Sequence, residues 1–162
     1  MKPGILAACI AALATAGAAA AQDITVNGHA GPPTAESRKA IDELLNLLAM
    51  HAQVGETQYG ELASGKSMTV LFPADATVEY YFHAVAGDDA ENIDLIAYEA
   101  DGTEIDIDDA DDNAPVLNIQ ASVHRSPIDK PKGIARPVTI EVRMVACNAA
   151  VCSFGLRIDQ VE

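Results

Sequence analysis

Between Lys66 and Arg125 the chain carries no Lys or Arg, while Asp and Glu crowd from Asp88 to Asp112. The densest part reads Asp106-Ile-Asp108-Asp109-Ala-Asp111-Asp112-Asn113. Carboxylates this close repel one another, so a fold that holds them together must hydrate them, protonate some, or neutralise them with a cation. Hard oxygen donors in this number suit Ca²⁺ better than a transition metal. The candidate ligands are Asp88 and Asp89 in one turn, Asp108, Asp109, Asp111, Asp112 and Asn113 in a second, and Asp94 within an otherwise apolar run. The competing reading is a solvated acidic face that keeps the chain soluble and blunts exposed strand edges. The two readings separate on whether Asp88–Asn92 and Asp108–Asn113 meet in space.

Local motifs narrow the chemistry. Asp109-x-Asp111-x-Asn113 begins like a helix–loop–helix calcium loop. It then places Ala114 where the turn needs Gly and Gln120 where the ion needs a bidentate Glu. Asp94 interrupts a run that reads as buried, and a buried carboxylate must be hydrogen-bonded, paired or metal-bound. Gly60 to Ser67 matches the phosphate-loop pattern G-x4-G-K-[ST]. That mechanism needs a buried strand before the loop and a helix after it. Here a polar stretch precedes the pattern and a strand-like run from Met68 follows, so the segment reads as an ordinary loop.

His29, His51, His83 and His124 are scattered without metal-ligand spacing, and His83 alternates with apolar neighbours so as to face solvent or a covering helix. The sequence holds no G-x-S-x-G elbow and no H-E-x-x-H helix. An acidic-site hydrolase is the residual enzymatic reading, resting on paired carboxylates alone. With no Trp and few aromatics outside the expected core, the chain is poorly equipped for a sugar-stacking cleft.

Met1-Lys2, an apolar run from Ile5 and the exit Ala19-Ala20-Ala21 read as a cleaved secretory signal over residues 1–21. The expected location is periplasmic or secreted, with no membrane span after cleavage. Loss of Lys2 takes the net charge from −14 to −15, which repels nucleic acid and anionic lipid. Of the cysteines, Cys147 and Cys152 survive processing, spaced C-x4-C. In an oxidising compartment that pair is expected to form a disulfide across a tight loop.

The elements that must position these groups follow from periodicity. Gln22 to Pro33 reads as an extended leader. Thr34 then caps a helix whose stripe of Ile41, Leu44, Leu45, Leu48 and Ala52 runs to about Val54, with Gly55 as its stop. From Ser67 the apolar period becomes two, as in Met68-Val70-Phe72, Val78-Tyr80-Phe82-Ala84, Leu117-Ile119-Ala121, Val138-Ile140-Val142-Met144 and Phe154-Leu156-Ile158. Glu141, Arg143, Arg157 and Asp159 face outward in that register. Ile93 to Tyr98 reads as a central strand, and Asp101-Gly102 as a hairpin turn. The expected architecture is all-β: an antiparallel β-sandwich, jelly-roll-like, over residues 62–162, preceded by one amphipathic helix within residues 22–61.

Several of these residues, taken in order, carry a family resemblance. They are Phe72-Pro73-Ala74-Asp75-Ala76, Tyr80-Tyr81-Phe82, Gly87-Asp88-Asp89, Asn92-Ile93-Asp94-Leu95-Ile96-Ala97-Tyr98, Asp101-Gly102, Asp111 to Pro115, and Val138 to Val145 with Cys147 and Cys152. The region from about residue 62 to 162 resembles the bacterial pre-peptidase C-terminal domains. The resemblance implies a secreted, non-catalytic accessory sandwich, often beside a protease and sometimes binding a matrix polymer or calcium. The expectation is therefore a non-enzymatic exported module whose partner is a protein or envelope polymer. The alternative is a structural protein that docks a partner or a second copy through its helix.

Overall fold

The computed structural model describes residues 25–27, 31–120 and 135–161; the expected signal at 1–21, and His29, Ala121, His124 and Arg125, lie outside the described residues. Within them the chain forms two packed antiparallel sheets and one helix. The first sheet places β9 (Ala135–Cys147) at its centre, flanked by β4 (Lys66–Asp75) and β6 (Ala90–Tyr98). Its edges are β1 (Thr25–Asn27), on β4, and β7 (Glu104–Asp108), on β6. In the second sheet β10 (Cys152–Gln160) pairs with β5 (Tyr80–Ala86) on one side, and β8 (Val116–Ile119) continues beyond β5. On its other side β10 pairs with both β2 (Ala52–Gln53) and β3 (Gln58–Leu62).

Strand alternation builds the core. Met68, Val70 and Phe72 of β4, Val138, Ile140, Val142 and Met144 of β9, and Ile93, Leu95 and Ala97 of β6 point inward from the first sheet. They meet Tyr80, Phe82 and Ala84 of β5, Phe154, Leu156 and Ile158 of β10, and Leu117 and Ile119 of β8. Each large apolar side chain removed from water contributes about 1.5–3 kcal/mol, which makes this layer the main stabilising term. Phe72 meets Tyr80 and Phe82 edge-on, with centroids 5.0 and 5.5 Å apart, the arrangement the ring quadrupoles favour. The Cys147–Cys152 disulfide closes the β9–β10 hairpin with its Cα atoms 5.9 Å apart.

The helix α1 (Ala35–Leu48) starts where the sequence places it: Thr34 Oγ1 accepts the backbone N–H of Ser37 at 3.1 Å, and Glu36 sits in the first turn. It ends well before Val54. Ala49 is extended, and Ala52 and Gln53 pair with Gln160 and Asp159 of β10, so sheet pairing takes over from the helical stripe. Gly55 lies in the following turn at φ +69°, a left-handed conformation that suits glycine. The sandwich thus draws three short strands, β1, β2 and β3, from before residue 62. The Asp101-Gly102 connection is a five-residue loop, in which Glu99 N–H donates to Thr103 O and Gly102 takes φ +83°.

Helix α1 lies on the outer face of the second sheet. Ile41 and Leu45 are buried there with Val85, and Tyr59, Leu48 and Ala114 pack around them. Close approach needs Gly155: a Cβ at that position would stand 2.6 Å from Ile41 Cγ2. The Tyr59 hydroxyl donates to Asp42, and the Arg38 guanidinium sits 4.7 Å above the Tyr59 ring. Burial, reinforced by the Asp42 carboxylate, raises the Tyr59 phenol above its usual value.

Candidate functional site

The two acidic turns do meet. Residues 109–115 cross from β7 to β8 between the sheets, and there Asp112 O accepts the Ile93 N–H at 3.0 Å. Asn113 O accepts the Ala86 N–H at 3.0 Å, and the Asn92 amide donates to Asp111 Oδ1 at 3.3 Å. Much of the carboxylate capacity goes into holding this crossing. Asp108 Oδ2 accepts the Val116 N–H at 2.8 Å, Asp108 Oδ1 that of Ala110, and Asp112 Oδ1 that of Ala114 at 2.9 Å. Asp88 and Asp89 stand exposed at the other end of the turn, where Asp89 O accepts the Asn148 N–H from the disulfide hairpin. Among the described residues no three His, Cys, Asp or Glu side chains gather in a metal-holding arrangement.

Asp94 belongs to a different group. It lies on the outer face of the first sheet, opposite Arg143 in the β6–β9 register. That face reads in rows across the strands. One row runs Ser67, Arg143, Asp94; the next Thr69, Glu141, Ile96, Ile107; the third Leu71, Thr139, Tyr98, Glu104. Glu141 links the rows: its Oε1 accepts from Arg143 at 3.2 Å, and its Oε2 accepts the Tyr98 hydroxyl at 3.0 Å. Burial raises the Asp94 carboxyl above its usual value; Arg143 pulls it down, while Asp109, Asp108 and Glu141 push it up. Burial and the bond to Glu141 likewise raise the Tyr98 phenol. Around this fixed polar centre, Leu71, Ile107 and Val145 remain exposed. The sequence register already placed Glu141 and Arg143 outward. What it left unread is their meeting with Asp94 and Tyr98, which depends on β6 lying beside β9, a pairing between segments far apart in the chain.

The outward pair on the second sheet has another fate. Arg157 and Asp159 leave the sandwich core as expected, yet they do not reach open solvent, because α1 and the strand after it cover them. Asp159 is 0 % exposed and its Oδ1 accepts Arg157 Nε at 2.7 Å. Arg157 Nη1 donates to Asn46 Oδ1 of the helix at 3.0 Å. His83, beside them on β5, is buried and faces this covered side.

A shallow cavity of about 430 Å³ lies near the hairpin, lined by Gly31, Glu61, Leu62, Ala63, Lys66, Ser67 and Val151. The phosphate-loop-like residues thus surround a cleft between strands, with β4 and not a helix after Lys66, so the helix N-terminus that would cradle a phosphate is missing there. Among the described residues, no helix is long and apolar enough to cross a membrane.

Comparison with known proteins adds little to this geometry. No family model and no curated protein matches the chain. Among solved structures, an arabinose-bound α-L-arabinofuranosidase aligns with 82 % of this chain and 25 % of its own, at 8 % identity and a TM-score of 0.31. The chain spans about a quarter of that enzyme's length, and the likeness is too distant to bear on function.

Proposed function

We propose that the protein is an exported, non-enzymatic binding module that engages a protein partner through the open outer face of its first sheet. The observation that supports this is the contrast on that face between a pre-set polar centre and an apolar surround. Arg143, Glu141 and Tyr98 are held by one another before any partner arrives, with Asp94 beside Arg143 in register, so little side-chain freedom is lost on contact. Leu71, Ile107 and Val145 around them supply apolar area that a partner removes from water. Arginine and tyrosine at the centre of such a patch are the side chains that most often carry binding energy. The acidic surface steers a basic partner and turns nucleic acid away. The resemblance to pre-peptidase C-terminal domains points the same way.

Site-specific photocrosslinking in the producing cell tests the reading. A photoreactive residue at Leu71 or Ile107 should give one discrete protein adduct that Arg143→Glu abolishes. The same residue at Glu43, on the exposed side of the helix, should give none. No adduct at Leu71 or Ile107, or equal adducts at Glu43, removes this face as the docking surface. Co-sedimentation with purified envelope polymer would instead move the assignment to a polymer ligand. Calcium support rests on the meeting of the two acidic turns, and calorimetry with Ca²⁺ followed by chelator tests it separately. Silence in both titrations removes the cation.

A further inference from the structure

The outer face of the second sheet holds a group of buried polar atoms that the binding reading does not use. His83 is 3 % exposed, and neither ring nitrogen has a hydrogen-bond partner among the described residues. Its Nε2 stands 3.7 Å from Asp159 Oδ2, a buried atom equally without a hydrogen bond. Polar groups are rarely buried unsatisfied, and a pair of them facing each other marks a place where a proton changes the balance. The remaining bonds lead out to the helix: Asp159 Oδ1 to Arg157, and Arg157 to Asn46 in the last turns of α1.

We infer that His83 and Asp159 form an acid-sensitive latch, which keeps helix α1 on the second sheet at neutral pH and loosens it when His83 takes up a proton.

The surroundings decide the direction. The titratable and charged groups that face His83 are Asp159 and Arg157 from β10, Tyr81 from its own strand, and His51 from the segment after α1. The Tyr81 ring stacks between the two imidazoles, 6.1 Å from His83 and 5.1 Å from His51. The helix contributes the uncharged Asn46 to this group, β8 sets Val116 opposite His83, and β2 sets Gln53 opposite Asp159. A proton on His83 therefore creates a cation with almost no access to water. Its acidic neighbour among the described residues, Asp159, is already bonded to Arg157, and Arg157 and His51 act against a positive charge on His83.

Two routes relieve that cation. Asp159 can turn toward His83, which frees Arg157 and disturbs its bond to Asn46, or water can enter as the helix lifts. Both weaken the hold on α1. Burial lowers the His83 pKa below the ordinary 6.5, with Asp159 opposing and Arg157 and His51 assisting. A histidine depressed in the fold contributes its full stability above that unfolded value, and the contribution is lost as pH falls from there through the folded pKa.

Hydrogen exchange on the intact chain, corrected for intrinsic rates, tests the latch. Between about pH 7.5 and pH 5, protection across Ile41–Leu48 should fall about tenfold or more while that of Val138–Val142 holds. His83→Phe keeps a ring against Tyr81 and removes the titration, so its helix protection should be flat with pH; His51→Gln should retain the fall. Helix protection that stays constant or rises in the wild type on acidification overturns the proposal. So does an equal fall in His83→Phe. Should that variant not fold, the imidazole proton signals of the wild type decide: the His83 midpoint must lie below 6.5 and helix protection must level off there, and protection that keeps falling below that midpoint, or a midpoint at or above 6.5, overturns the latch.

Discussion

The central strands of both sheets carry an acid and an arginine two residues apart on their outer faces. On β9 these are Glu141 and Arg143; on β10 they are Arg157 and Asp159. The first pair lies on an open face, with the Arg143 side chain 41 % exposed. The second is closed over by α1, with the Arg157 side chain 12 % and that of Asp159 0 % exposed. Two residues away from the buried pair, Gly155 clears the space into which Ile41 packs. One outer face thus receives the chain's own helix, while the other is left uncovered by helix among the described residues. Strand alternation sets which side chains leave the core, and what happens to them afterwards depends on a glycine and a helix.

The comparison breaks hardest at the acids. Asp159→Ala leaves the Arg157 guanidinium buried without its counter-charge, and loss of one partner of a buried pair costs about 3–5 kcal/mol. Glu141→Ala on the open face removes a partly hydrated pair and the hydrogen bond from Tyr98, each worth about 1 kcal/mol or less. Urea unfolding of the two variants beside the wild type measures both. Similar midpoints would mean that the helix does not seal the second face.

Gly155 sharpens the same contrast at a smaller scale. Gly155→Ala puts a methyl against Ile41 Cγ2, with Leu45 Cδ1 at 3.2 Å and Tyr59 Cδ1 at 3.4 Å. Overpacking of this kind costs about 1–3 kcal/mol. Ile41→Ala alone also destabilises, by loss of buried apolar area, but the double variant should cost less than the sum because the clash disappears with the isoleucine. A strictly additive double-mutant cycle in the same urea experiment would show that Gly155 and Ile41 do not share the contact.

These positions also mark how far the sequence can be read. Strand rhythm placed Met68, Val70, Phe72, Ile140 and Phe154 in the core, because alternation is local and survives any pairing. It placed Glu141, Arg143, Arg157 and Asp159 outward for the same reason. It could not separate the covered pair from the open one, since cover comes from α1, more than a hundred residues earlier in the chain. The helical stripe overran because Ala52 fits a 3.6-residue period, while its pairing with Gln160 is invisible locally. Likewise the acidic turns were visible as charge, but their meeting rests on backbone groups, Asp112 O with Ile93 N–H and Asn113 O with Ala86 N–H, which any residue supplies. Asp94 stands out in the sequence as a carboxylate inside a strand; its cross-strand neighbour Arg143 follows from register, which is long-range information.

Asp94 gives the smallest expected effect and the finest test of the open face. Asp94→Asn keeps the shape and removes the charge. Burial raises this carboxyl, Arg143 opposes the rise, and Asp109, Asp108 and Glu141 add to it. A carboxyl raised in the fold stabilises the folded state when protonated. That contribution is fully present below the unfolded value of 3.8 and is lost as pH rises through the folded one. At neutral pH the charge therefore works against folding, so Asp94→Asn should raise stability slightly, by no more than about 1 kcal/mol. It should also flatten the pH dependence above 3.8, which urea midpoints across the acidic range would show. A variant less stable than the wild type at neutral pH would mean that attraction to Arg143 outweighs the cost of holding a carboxylate 7 % exposed among other acids. The polar centre of the open face would then depend on the attraction between Asp94 and Arg143, and Arg143→Met should destabilise by a matching amount.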